Sequence, residues 1–200
     1  MKNFVVLIMG HTGSGKSTVA RKISEKLGLE IYHSAIVRKE LGYTFDKNEA
    51  ESDFFVLTSK KREPMDKAVY GEIAKLCRKS LINGKNVVLD AGYFFKWQRE
   101  EFYNSVQDIN PEVFIVRVEC PEEEIIKRLA KRKEEFSKSP FNETPSMKAY
   151  ESCKIATEDP KQDKFNKKPT IIYYNSHTGE ISYDLTETNK NLNLLISALK

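Results

Sequence analysis

The chain has 200 residues, 40% hydrophobic and 31% charged, enough to bury one core and too apolar for a disordered tail, so a single domain over 1–200 is expected. Its formal charge of +4 comes from 33 basic residues scattered among 29 acidic ones, which suits a phosphate-bearing ligand better than a continuous nucleic-acid groove. No apolar run reaches the roughly 18 residues of a bilayer span, and the three cysteines, Cys77, Cys120 and Cys153, form no CxxC pair, so a soluble cytoplasmic chain with free thiols, no zinc site and no membrane partner is expected.

Phe4 to Met9 is a continuous, largely β-branched run, as a strand buried on both faces should be, and too short and too soon followed by glycine for a signal peptide. Ser17 to Leu27 sets Val19, Ala20, Ile23 and Leu27 on one helical stripe, with Gly28 as its stop. Glu30 to Ser34 reads as a second strand. Pro64 to Asn83 reads as a long helix, with proline at its start and Gly84 at its end. Asn86 to Ala91 is a third strand and Val113 to Cys120 a fourth. Pro121 and Glu122 to Glu124 then open a helix that carries Arg128 and Arg132 on one face. Glu134 to Lys168 is polar and weakly periodic, which predicts a mobile lid with some helix, beginning near residue 130. Thr170 to Ser176 is a fifth strand, and Leu192, Leu195, Ile196 and Leu199 mark a final helix. Strands alternating with helices predict an α/β fold with a parallel five-stranded sheet covered on both faces.

Gly10-His11-Thr12-Gly13-Ser14-Gly15-Lys16-Ser17, followed by Thr18, fits G-x-x-x-x-G-K-[ST] between a buried strand and an amphipathic helix. In such a loop the backbone N–H groups converge on phosphate at a helix N-terminus, Lys16 reaches the β and γ phosphates, and the Ser17 hydroxyl ligates Mg²⁺. The neighbouring classes lack parts they need. A dinucleotide site wants a third glycine where Thr18 stands. A GTPase wants the aspartate of NKxD, which neither Asn166 to Pro169 nor Asn189 to Leu192 supplies. A motor ATPase wants Asp-Glu where Asp90 is followed by Ala91. A kinase remains.

Four segments in order, GHTGSGKST, HSAIVRKELG, VYGEIAKLCRKSLINGKNVVLDAGYFFKWQR and VECPEEEIIKRLAKR, resemble the polynucleotide-kinase-like group of P-loop kinases, related to the adenylate kinase, gluconate kinase and zeta-toxin folds. The likeness runs from Val5 to about Ile181. It implies a sheet ordered 2-3-1-4-5 and transfer from ATP·Mg²⁺ to a hydroxyl. In that group the second strand usually ends in Asp-x-x-Arg, where the aspartate takes the acceptor's proton and the arginine holds a phosphate. Here Arg38 is present and Ala35 occupies the aspartate's place. Loss of a positioned base costs about 10² to 10⁴ in rate, while ATP binding should survive. Three explanations stand open: an engineered inactivation, another carboxylate in the role with Asp90 nearest, or a natural binder without catalysis.

Asp90 ends the third strand, where ligands collect in parallel sheets, and is expected at the metal or the acceptor hydroxyl. The family pattern puts Arg99 on the acceptor side, with a surface salt bridge as its rival reading. Arg128 and Arg132 face the phosphates if their helix begins the lid, and otherwise form a solvated basic face with Lys127, Lys131 and Lys133. The expected activity is transfer of the γ-phosphoryl of ATP to a hydroxyl of a small molecule. A polynucleotide 5′-hydroxyl kinase and a non-catalytic ATP-binding protein are the alternatives, and the oligomeric state is open.

Overall fold

The computed structural model of the chain describes residues 3–43, 60, 62–135, 147–163, 165, 168–184 and 189–200. Strand β1 (Phe4–Met9) is buried along its whole length. Because strand side chains alternate, Val5, Leu7 and Met9 enter one core and Phe4, Val6 and Ile8 the other. The first core is closed by α3 (Glu63–Ile82) and α4 (Lys96–Val106), through Val69, Ile73, Cys77 and Leu81 and through Phe102 and Val106. The second is closed by α1 (Lys16–Leu27) and α7 (Lys190–Leu199), which bury Val19, Ala20 and Ile23 and Leu192, Leu195 and Leu199. Each leucine so buried contributes about 1.5–3 kcal/mol.

The central sheet also contains β2 (Glu30–His33), β3 (Val87–Asp90), β4 (Glu112–Glu119), β5 (Thr170–Asn175) and β6 (Ile181–Tyr183), in the order β2-β3-β1-β4-β5-β6. The first five are mutually parallel and follow the order the family resemblance implies. The expected all-parallel, five-stranded sheet is corrected by β6, which runs antiparallel to β5 and makes the sheet mixed and six-stranded. A hairpin produces it: the Asn175 side chain accepts the N–H groups of His177 and Thr178, and Gly179 turns back at φ 79° to donate to the Asn175 carbonyl.

One further segment differs from the reading of the sequence. β2 stops at His33, and Ser34 opens a short helix, α2 (Ser34–Glu40), that carries Ala35 and Arg38. The segment expected as a lid with some helix does contain a helix. α5 (Glu122–Glu135) is followed, across residues 136–146 that lie outside the described set, by α6 (Met147–Ala156). Tyr150 of α6 packs on Ile125 and Leu129 of α5, while Cys153 and Ala156 pack on Phe94 after β3. No described helix is long and apolar enough to cross a membrane.

Candidate functional site

The carboxyl ends of β1, β2 and β3 open into one cleft. The loop between β1 and α1 forms one wall. Gly13 has φ 84°, and a Cβ there would lie 2.9 Å from Cγ2 of Ile125, so the close turn of the loop against α5 requires glycine. The Lys16 ammonium donates to the His11 carbonyl at 2.9 Å, and the Ser14 amide donates to the same oxygen at 3.1 Å. Lys16 Nζ also stands 5.9 Å from the Phe94 ring centroid.

The nine loop residues expected to bind nucleotide do not all face the cleft. Thr12, Gly13, Gly15, Lys16 and Ser17 line the cleft. Gly10, His11 and Ser14 line a second cavity behind the loop, and Thr18 is exposed on α1 with its amide bonded to the Gly15 carbonyl. The His11 ring therefore points away from the cleft, edge-on to Tyr150 at 5.8 Å. Burial, and then the charges of Lys16, Arg117 and Lys154, lower its pKa from 6.5 to about 4, so it is neutral near pH 7. The Ser14 hydroxyl is buried without a partner among the described residues, while its carbonyl accepts from Ser176 at 2.6 Å.

Asp90 lines the cleft and is 6% exposed. The parallel register sets His33 directly beside it, and His33 Nδ1 lies 2.8 Å from Asp90 Oδ2. The sequence offered no metal spacing for His33, so this orienting contact becomes visible only once β2 and β3 are paired. Ser17 and Asp90 both line the cleft, and their oxygens are a donor set that would fit Mg²⁺, an ion bound through one or two protein oxygens together with substrate phosphates. No cluster of three or more His, Cys, Asp or Glu suited to a metal occurs among the described residues.

Ala35 and Arg38 both line the cleft, three residues apart on α2. An adjoining arm is lined by Ala35, Arg38, Arg62, Asp66, Tyr70 and Phe94, among others. Arg62, Asp66 and Phe94 were not singled out as site residues from the sequence. Arg62 Nε donates to Asp66 Oδ2 at 2.8 Å, and this i,i+4 pair at the start of a helix was the signal available. Burial pushes the Asp66 carboxyl up, against the opposing pull of Arg62 and Arg38.

The arginines separate by position. Arg132 lines the cleft. Arg128 lies behind the loop, where it donates to Glu124 at 2.9 Å and to the Ser176 hydroxyl at 3.0 Å and so ties α5 to the turn after β5. Arg99 corrects an expectation outright. It is fully buried, forms a two-pronged pair with Asp163 at 2.6 and 2.8 Å, and donates to the Tyr93 carbonyl at 2.8 Å. The sequence hides this because Asp163 lies 64 positions downstream.

Over 100 residues the chain is 32% identical to a probable thymidylate kinase of Methanosarcina mazei. The match covers 45% of each protein, so the chain spans about half the length of that relative. A sugar kinase structure from Janibacter sp. HTCC2649 superposes with a TM-score of 0.62 at 17% identity, over 98% of this chain and 91% of that one. A gluconokinase structure from Sinorhizobium meliloti 1021 does so with a TM-score of 0.54 at 15% identity, over 98% and 90%. At these identities the two structures show a shared fold. A family described as an AAA domain, AAA_33, matches residues 5–151, a stretch that runs from β1 into α6 and includes the loop, Ala35, Arg38, Asp90 and Arg132. The chain belongs to this AAA domain family and has a P-loop kinase fold.

Proposed function

We propose that this protein is an ATP-dependent kinase that passes the γ-phosphoryl of ATP·Mg²⁺ to an oxygen of a small-molecule acceptor, on the polynucleotide-kinase-like branch of the P-loop kinases. The observation that carries the reading is that Lys16, Ala35, Arg38, Arg62 and Phe94 line both the loop's cleft and the adjoining arm. A phosphate cradled at the loop therefore meets whatever fills the second arm, as direct transfer requires. Lys16 exchanges the His11 carbonyl for the β and γ oxygens of ATP, and Arg132 offsets charge on the moving phosphoryl group. Ser17 and Asp90 would hold Mg²⁺, which would neutralise phosphate charge there, and His33 fixes the Asp90 carboxylate. A cytoplasmic setting agrees with ATP use and with the free Cys77, Cys120 and Cys153.

The acceptor expected from the sequence is a hydroxyl, whose proton needs a base. Among the described residues lining the two arms the carboxylates are Asp90, engaged by His33, and Asp66, engaged by Arg62. The test is transfer of labelled γ-phosphate from ATP·Mg²⁺ to a metabolite extract and, separately, to a 5′-hydroxyl oligonucleotide, with Lys16→Met as control. Label in a small molecule, lost in the variant, is expected. Label in the oligonucleotide alone selects the polynucleotide kinase, and ATP binding without any transfer selects the non-catalytic binder.

A further inference from the structure

Resting on the kinase reading, we infer that the acceptor is an alcohol and that Asp66, in the first turn of α3, is the base that takes its proton. A hydroxyl must lose its proton as it attacks Pγ, and the side chain that receives it has to border the space the acceptor occupies. Among the described residues the two carboxylates of the site divide between its two arms. Asp90 lines the loop's cleft, and a carboxylate set aside for Mg²⁺, with one oxygen held by His33, is a poor proton acceptor. Asp66 lines the adjoining arm, which it shares with Ala35 of α2.

The surroundings of Asp66 suit it to that task. Arg62 Nε holds Oδ2 at 2.8 Å, which fixes the carboxylate, while Oδ1 has no partner among the described residues. The side chain is 5% exposed, and Met65, Val69 and Tyr70 wall the same arm. Burial raises its pKa above the usual carboxylate value, whereas Arg62 and Arg38, and the positive end of the α3 dipole, favour the ionised form. The group is therefore a stronger base than a carboxylate in water and is paired so as to stay charged until a proton arrives. In the step, the acceptor oxygen bonds to Pγ while the bond from Pγ to the β,γ-bridging oxygen breaks. The electron pair of that bond leaves on ADP, the hydroxyl proton passes to Oδ1 of Asp66 and then to solvent, and the product is a phosphomonoester. Ala35 lines both the cleft and the arm, so a carboxylate placed there would border the same acceptor from α2.

The experiment incubates the full chain and ATP·Mg²⁺ with ribose, glucose and thymidine and, in parallel, with a metabolite extract, and reads products by phosphorus NMR. A phosphomonoester is expected. Asp66→Asn keeps an oxygen for Arg62 but not the proton affinity, so kcat should fall about 10²- to 10⁴-fold, with acceptor KM little changed and ATP binding retained as the check on folding. Ala35→Asp added to Asp66→Asn returns a carboxylate to the same arm and should recover at least about tenfold of that loss, which a merely structural role for Asp66 would not allow. In the wild-type chain kcat should fall as pH drops through the raised pKa of Asp66, whose charged and titratable neighbours along the arm are Lys16, Arg38, Arg62 and Tyr70, and Asp66→Asn should lack that limb. A wild-type kcat in Asp66→Asn, a loss that Ala35→Asp leaves unrepaired, or a phosphoanhydride product, whose formation needs no base, overturns the inference and leaves the kinase reading standing. Absence of transfer to any acceptor by a chain that binds ATP overturns both.

Discussion

Replacing Arg99 with methionine separates a structural role from the acceptor contact that the family pattern suggests. The guanidinium and the Asp163 carboxylate are both 0% exposed, and Asp163 also accepts the Tyr103 hydroxyl at 2.8 Å. The pair holds the turn after β3, where Tyr93 adopts φ 48°, to the segment that follows α6. Methionine fills much of the arginine's volume but leaves Asp163 as a buried charge with one remaining partner. Breaking a buried pair from one side costs about 3–5 kcal/mol, which for a chain of this size lowers Tm by about 6–20 °C. Arg99→Met/Asp163→Leu removes both charges and should recover most of that loss. Differential scanning calorimetry of the two variants, beside acceptor KM at a temperature where each is folded, reads both quantities. An unchanged Tm for Arg99→Met with a large rise in acceptor KM would refute the structural reasoning and return Arg99 to the acceptor.

His11 should give the fold an acid sensitivity of its own. Its folded pKa of about 4 lies below the ordinary 6.5, so the unfolded chain binds the proton first and stability falls as pH drops from about 6.5 towards 4. His11→Gln should flatten that part of the urea-midpoint profile, and an identical slope in both proteins contradicts the assignment. Gly10→Ala, at φ 150° with its Cβ 2.5 Å from the Val118 carbonyl oxygen, should lose about 1–3 kcal/mol and weaken ATP binding, measurable by urea titration and calorimetry. Arg132→Met should lower kcat about a hundredfold more than Arg128→Met, because Arg132 lines the cleft and Arg128 braces the loop from behind. Equal losses in steady-state kinetics would contradict that division.

The legible parts of the molecule were those where local pattern and chemistry coincide. The FVVLIM run, the glycine loop and the stripe of Val19, Ala20 and Ile23 each specify their own conformation, and the structure builds them within a residue of the expected bounds. β6 was not legible. It has three residues, is largely exposed, and owes its existence to the Asn175 side chain and the Gly179 turn rather than to any apolar run. The position of α6 within the segment expected as a lid with some helix was not legible, because its buried face consists of Ala149, Ser152, Cys153 and Ala156 beside a single tyrosine, a stripe with little hydrophobic contrast. Within the site Thr12, Gly13, Gly15, Lys16, Ser17, Ala35, Arg38, Asp90 and Arg132 line one cleft. The partners of Asp90 and Arg99 depend on strand register and on contacts between distant positions, which no local window contains.

The most direct test of the central claim is ADP release from ATP·Mg²⁺, followed with and without acceptor, for the wild-type chain and for Lys16→Met. The account predicts slow release alone, a rise of at least about tenfold when the right acceptor fills the second arm, and loss of that rise in the variant. ADP release that no acceptor accelerates, or that survives the loss of Lys16, would contradict it.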